Sequence, residues 1–335
     1  MTDKVDRRKF IKNSVLGTAG AALGLSSFEE QNLKAAMAGE SVRKKPNAAN
    51  TTGEMQYGKI KNLKISRMFC GGNLIGGWAH SRDLIYVSSL VKQYHTDEKI
   101  FDTFELAEEM GINTVLTNPV SDKVINRYWN ERGGEIQWIS DCASGGLKEG
   151  IKRSVDSGAH AVYLQGGIAD QAVRDGKTDM LGEALEYIKE LGVPGGLGAH
   201  ELETVKACVK AGFEPDYWVK TIHPENYWSA TPKENRKEFD VIGQQTNDHD
   251  GYHDNMYCRN PKETIEYMKG LKQPWIAFKI LAAGAVHPRE GFKYAFEAGA
   301  DFICVGMFDF QVRENAMIAQ KTLAGKIDRV RPWCA

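Results

Sequence analysis

Six polar side chains stand at or just past the ends of apolar runs: Asn118, Asp141, Gln165, His200, Lys220 and Lys279. A carboxylate and an imidazole can shuttle protons, an amine can act as base or attack a carbonyl, and amides orient polar substrates. Alternation along a strand sends every second side chain to the same face. In Trp218-Val219-Lys220-Thr221-Ile222 the β-branched Val219 suits a helix-facing side, which turns Lys220 inward. In Ile276-Ala277-Phe278-Lys279-Ile280 the same pattern sends Phe278 and Ile280 outward and Lys279 inward. Leu116 and Asn118 likewise share a face, as do Tyr163 and Gln165, and Gly198 and His200. Two ammonium groups on adjacent strands repel, so one releases its proton more readily and becomes nucleophilic. Lys220 is then the expected Schiff-base nucleophile or general base with Lys279 as its activating neighbour, while Asp141 and His200 shuttle protons and Asn118 and Gln165 orient the substrate. The plainer alternative has both lysines binding a substrate carboxylate or pairing with Asp141.

The same residues also suit other chemistry. His200 and His223 end neighbouring strands and, with Asp141 or Asp309, have the composition of an open three-ligand site for a divalent metal such as zinc or manganese. The 247–254 segment, Asn-Asp-His-Asp-Gly-Tyr-His-Asp, adds ligand types but lacks the glutamate that closes a calcium loop; Cys258, Arg259 and Asn260 stand there instead. Trp78, His80, Arg82 and Asp83 in one long loop, and Tyr227, Trp228, Tyr252 and Tyr257 in another, form an aromatic, hydrogen-bonding set that suits a sugar-like polyol. Ala282-Ala283-Gly284-Ala285 and Gly306 have the form of a phosphate-gripping loop, for a substrate or a cofactor.

These groups need a scaffold that brings strand ends together. Five times a helix-like stretch meets a glycine and then an apolar run, at Gly111, Gly158, Gly192, Gly212 and Gly299. A glycine just past a helix supplies the left-handed cap, and its recurrence before apolar runs punctuates a βαβα chain. Strands are expected over 67–73, 113–118, 136–141, 159–165, 193–200, 216–223, 275–281 and 301–307. Helices are expected between them, over 98–110, 180–191, 202–211, 262–271 and 291–298. In the first of these, Ile100, Phe101, Phe104 and Ala107 recur at helical spacing and form a core-facing stripe. No GxGxxG follows the first strand, which disfavours an open nucleotide-binding sheet. Eight β-then-α units match an α/β fold of a single (β/α)₈ barrel, the TIM barrel, whose reactive groups gather at the C-terminal strand ends. The long connections 76–96 and 224–261 follow strands and so fall on that rim, where long loops act as lids or binding loops.

The chain has 335 residues, 42% of them hydrophobic and 26% charged, an ordinary composition for a soluble globular protein. A net charge of −1 gives no reason to expect nucleic acid or an anionic membrane surface as partner. Its six cysteines form no CxxC pair or dense framework and read as small buried hydrophobes. Asp6-Arg7-Arg8-Lys9-Phe10-Ile11-Lys12, followed by an apolar run over 15–25 and by Ala36-Met37-Ala38, resembles a twin-arginine export signal. That resemblance implies a signal peptide over 1–38, a linker over 39–55 and the barrel over 56–335. The export machinery becomes a partner and the periplasm a destination. The apolar run is too short for a stable membrane anchor.

Tyr57-Gly58-Lys59-Ile60-Lys61-Asn62-Leu63-Lys64-Ile65-Ser66-Arg67, running into Gly71-Gly72, resembles the opening of the aldo-keto reductase family. So does the helix ending Leu106-Ala107-Glu108-Glu109-Met110-Gly111-Ile112-Asn113. The resemblance covers roughly the first quarter of the expected barrel and implies its fold. The family's Asp, Tyr, Lys and His tetrad is not found where it would fall. The second strand ends Leu116-Thr117-Asn118-Pro119, the third Ser140-Asp141-Cys142 and the fourth Leu164-Gln165-Gly166. Lys220 and Lys279 also resemble, in placement, the lysines of deoxyribose-phosphate-type class I aldolases. The leading expectation is an exported enzyme acting as lyase, isomerase or epimerase on a sugar-derived carbonyl or hydroxy-carbonyl compound. The alternatives are an NADP-dependent reductase with a rebuilt acid–base set and a non-catalytic sugar-binding barrel. A homo-oligomer is compatible with each.

Overall fold

A computed structural model describes residues 54–78, 84, 86–143, 145–236 and 257–335. The leader, most of the linker, His80, Arg82, Asp83, Tyr252 and the 247–254 segment lie outside the described residues.

The chain enters as an antiparallel hairpin, β1 (Tyr57–Ile60) and β2 (Leu63–Ser66). Eight further strands follow: β3 (Met68–Gly71), β4 (Thr114–Thr117), β5 (Gln137–Ser140), β6 (Ala161–Leu164), β7 (Gly195–Ala199), β8 (Tyr217–Thr221), β9 (Trp275–Phe278) and β10 (Phe302–Gly306). They pair in parallel and close a barrel in the order β10-β3-β4-β5-β6-β7-β8-β9. Each expected strand is found, shortened by two or three residues in all. The trimmed residues turn the chain into helices or loops, and at the C-terminal ends they carry the polar groups. All five junction glycines adopt positive φ, from +77° to +98°, the region in which a Cβ would be strained. The helix Asp97–Glu109 is capped by Thr96, whose side chain accepts from Lys99 N, and it buries Ile100, Phe101, Phe104 and Ala107 as the stripe requires. Among the described residues no helix is long and apolar enough to cross a membrane.

The barrel interior is a packed layer that includes Phe69, Leu116, Ile139, Tyr163, Tyr217, Val219 and Ile276. The hairpin contributes Ile60 and Ile65 to the same cluster, and its turn residue Lys61 pairs with Asp216, just before β8, at 2.8 Å. The hairpin thus stoppers the N-terminal end of the barrel, a role the apolar pattern of 57–66 did not reveal. Two tyrosine rings fit inside because β7 is nearly free of side chains on that face. A Cβ on Gly196 would come within 2.5 Å of the Tyr217 ring and 2.9 Å of Tyr163 Cβ. Gly196→Ala is therefore expected to cost about 1–3 kcal/mol through overpacking, read as a lower urea midpoint at unchanged m. An unchanged midpoint would show that the tyrosines have room to move.

Candidate functional site: an Asp–His pair at the barrel mouth

The inward face of β7 runs through Gly196 and Gly198 and continues to His200, immediately past the strand. The His200 ring lies against the start of the helix Gly166–Arg174, where a Cβ on Gly166 would stand 3.0 Å from ring atoms Nδ1 and Cε1. One turn into that helix sits Asp170, 1% exposed. Its carboxylate accepts from His200 N (3.1 Å), His200 Nδ1 (2.9 Å), Glu201 N (3.3 Å) and Thr204 Oγ1 (2.7 Å). With only acceptor oxygens opposite it, Nδ1 carries the proton and Nε2 keeps a lone pair. Among the described residues Nε2 has no hydrogen-bond partner. Burial depresses the imidazole's proton affinity; Asp170 opposes this, and the charges of Lys279 and Lys220 reinforce it. The arrangement is an oriented, neutral base.

Lys279 follows β9 in a left-handed conformation, φ +57°, a backbone state that costs a non-glycine residue of order 1 kcal/mol and concentrates at working sites. Its Nζ stands 4.1 Å from the centre of the Tyr257 ring. Phe278 and Tyr257 pack against His200, with ring centres 5.3 and 6.4 Å away. Cys304 of β10 and Tyr163 of β6 belong to the interior cluster, against which Phe278 also packs. Asp141, just past β5, accepts at Oδ1 from Asn118 Nδ2 (2.9 Å) and Ala143 N (3.1 Å). Burial nevertheless raises its carboxyl to about 6, with those two bonds pulling the other way. Cys142 beside it is left-handed too, φ +48°.

Several expectations are corrected. Lys220 does not point into the barrel. Val219 belongs to the interior cluster, which puts its neighbour on the opposite face. Lys220 Nζ is buried between strands and helices and donates to His200 O (2.7 Å), Thr221 O (2.9 Å) and Thr221 Oγ1 (2.9 Å). It braces the backbone that carries His200 and is not placed as a nucleophile. Phe278, expected outward, packs against the interior cluster. His223 is not placed as a metal ligand: Nδ1 donates to Pro224 O (2.8 Å), while Nε2 accepts from Tyr257 N and Cys258 N (3.0 Å each). Both ring nitrogens are thereby committed to clasping Tyr257, and burial pushes the imidazole down to about 4. Among the described residues no three His, Cys, Asp or Glu side chains gather as a metal-holding group. Asp309 instead takes Tyr94 Oη (2.5 Å) and Lys99 Nζ (2.8 Å).

Asn118 and Gln165 are caps, not free substrate ligands. Asn118 Oδ1 accepts from Val120 N and Gln165 Oε1 from Ile168 N, both at 3.0 Å, although Asn118 also positions Asp141. Gly284, φ +84°, is required by the turn after β9. Gly306 lies against Gly71, where a Cβ on the latter would come within 2.7 Å of Gly306 N. Gly284 therefore has a backbone reason that involves no phosphate, whereas a Cβ on Gly306 would meet only Leu74, at 3.8 Å. Trp78 is 44% exposed on the loop after β3, its ring over Gly76. Asp170 is the site residue that sequence reasoning did not nominate. For Asp170 the available signal was a carboxylate one turn into a helix that opens Gln165-Gly166-Gly167, beside a strand ending in histidine.

No protein-family profile matches the chain, and no curated protein matches it in sequence. Solved structures do. Two structures from Pseudomonas aeruginosa, both assigned to the aldo-keto reductases, align at 16% identity over 82% of this chain and 99% of theirs, with TM-scores of 0.55 and 0.53. A truncated 3-deoxy-D-arabino-heptulosonate 7-phosphate synthase from Thermotoga maritima aligns at 10% identity over 81% of this chain and 92% of its own, with a TM-score of 0.44. The Pseudomonas likeness is one of fold alone, a closed eight-stranded parallel barrel.

Proposed function

We propose that the protein is a barrel enzyme that moves a proton on a sugar-derived carbonyl or hydroxy-carbonyl compound, as an isomerase, epimerase or lyase. The observation that carries this reading is the His200–Asp170 pair: a buried carboxylate fixes the proton on Nδ1 and leaves Nε2 a bare acceptor at the mouth. Nε2 removes a proton from the carbon next to the substrate carbonyl. The Lys279 ammonium stabilises the oxygen on which negative charge develops, as a preorganised cation does in a site of low polarity. Asp141, protonated below about 6, returns a proton to that oxygen or to a departing hydroxyl. The Schiff-base version of the reading belongs to Lys279 and no longer to Lys220. Export by the twin-arginine route is part of the proposal and rests on the leader sequence alone.

Proton NMR in D₂O over a panel of aldoses, ketoses and sugar acids tests the reading. Wash-in of deuterium at a carbon next to the carbonyl, lost in His200→Gln, supports it; absence of exchange with every member of the panel contradicts it. The pH profile is also fixed. His200 must be unprotonated and Asp141 protonated, so activity is expected to fall as pH rises through about 6 and, on the acid side, as His200 takes up a proton. In Asp141→Asn the alkaline limb should disappear. A limb that persists in that variant would assign the titration to another group.

A further inference from the structure

The end of β8 ties the backbone of His200 to the segment that carries Tyr257. Lys220 Nζ donates to His200 O (2.7 Å) and to Thr221 Oγ1 (2.9 Å). Thr221 Oγ1 in turn donates to Tyr257 O (2.6 Å), and His223 Nε2 accepts from Tyr257 N and Cys258 N (3.0 Å each). The Tyr257 backbone is thus held at both its N–H and its carbonyl. Its ring faces His200, 6.4 Å between centres, and carries the Lys279 ammonium 4.1 Å from its own centre. The geometry at His223 admits one protonation state. Nδ1 spends its proton on Pro224 O (2.8 Å), so Nε2 must be bare to receive two N–H groups. The ring is fully buried, and the charges of Lys220 on β8 and Arg236 on the following loop both disfavour an imidazolium there. Glu225, the nearby carboxylate, is matched by Arg236 Nη1 (2.5 Å) and Lys233 Nζ (3.4 Å). The Tyr227 ring stands edge-on at 5.7 Å, and Cys258 Sγ is turned to Thr264 Oγ1 (3.7 Å).

We propose that His223 is a positioning residue for the His200 centre: as a neutral imidazole it holds the Tyr257–Cys258 backbone and so seats the Tyr257 ring against His200 and Lys279. The inference rests on the proton-transfer reading and adds to it a second acid-side control, one that acts through packing and not through the base itself. Burial keeps the His223 ring neutral down to about 4, below its ordinary 6.5. The clasp is therefore closed at neutral pH and opens as pH falls through about 4, when a second proton turns Nε2 from acceptor into donor. Opening frees two amides and loosens the ring that His200 and Lys279 share. Misalignment of this kind slows a reaction without touching the groups that carry it out.

NMR of the ¹⁵N-labelled full chain tests this without a substrate. At neutral pH the parent should show an uncharged His223 ring and Tyr257 and Cys258 amides protected from exchange. That protection should be lost together with protonation of the ring near pH 4. In His223→Gln the side-chain carbonyl accepts from the same amides and does not titrate, so protection should persist and the acid step vanish. In His223→Leu both amides should exchange about tenfold or more faster at neutral pH, and the ring shifts of His200 should move although that residue is unchanged. Unaltered amide protection and His200 shifts in His223→Leu would overturn the inference, as would an acid step that persists in His223→Gln. Should the leucine variant not fold, the glutamine variant and the parent's acid step still decide. Deuterium wash-in separates this from the proton-transfer reading. An opened clasp with undiminished wash-in in His223→Leu would sink the positioning role alone. The acid step in a parent that exchanges no sugar would leave the clasp and remove the reaction it serves.

Discussion

His200→Gln is expected to lower turnover by about 10²–10⁴-fold, the range typical of losing a positioned general base. The variant should leave the fold intact, because glutamine occupies similar volume and the glycines beneath it are untouched. Asp170→Asn should approach the same loss by a different route. An amide can donate to Nδ1, and that moves the ring proton to Nε2 and blocks it as a base. Asp170 also takes Glu201 N and Thr204 Oγ1, so this variant should be less stable as well. Turnover within threefold of the parent in both variants would remove the pair from the chemistry, whatever the fold does.

The largest expected effect on stability lies at the opposite end of the barrel. Asp301, fully buried just before β10, receives Arg331 Nη2 at 2.7 Å, with Arg329 Nη2 at 3.7 Å. It also accepts from Trp275 N (3.0 Å) and Cys334 N (2.7 Å). The carboxylate ties the start of β9 to the segment that follows the last helix. Arg67 and Arg329 both lie over the Trp333 ring, at 4.0 and 3.5 Å from its centre. Removing the carboxylate leaves buried guanidinium groups without their counter-charge, which costs far more than the pair contributes when intact. Asp301→Ala is therefore expected to cost about 3–5 kcal/mol, measured by urea unfolding. A loss below about 1 kcal/mol would mean that the arginines find other acceptors or water.

The barrel was legible in the sequence because each parallel strand is buried on both faces and reads as a short apolar run, punctuated by capping glycines. The face of each residue was less legible, for the same reason. When both faces are apolar, Val219 gives no clue to which side it takes, and placing it outward inverted Lys220. His200 follows the face of Gly196 and Gly198, the face that alternation along β7 gives it. Lys279 reaches the mouth for a reason alternation does not cover: β9 has ended at Phe278 and the backbone has turned left-handed. His223, Asn118 and Gln165 sit where a reactive group would sit, yet they satisfy backbone atoms. Asn before Pro119 and Gln before Gly166-Gly167 carry a capping signal in their own types and positions. Asp170 was hidden because a carboxylate in a helix usually marks the solvent side. Only the packing of that helix against β7 reveals what it holds.

The tautomer of the His200 ring can be read directly. Long-range ¹H–¹⁵N correlation spectra of histidine-labelled protein at neutral pH, with His200→Gln to assign the ring, report which nitrogen carries the proton. The expected result is a neutral His200 ring protonated at Nδ1, with the shift of an unprotonated nitrogen at Nε2. A proton on Nε2, or a ring charged at both nitrogens, would contradict the account.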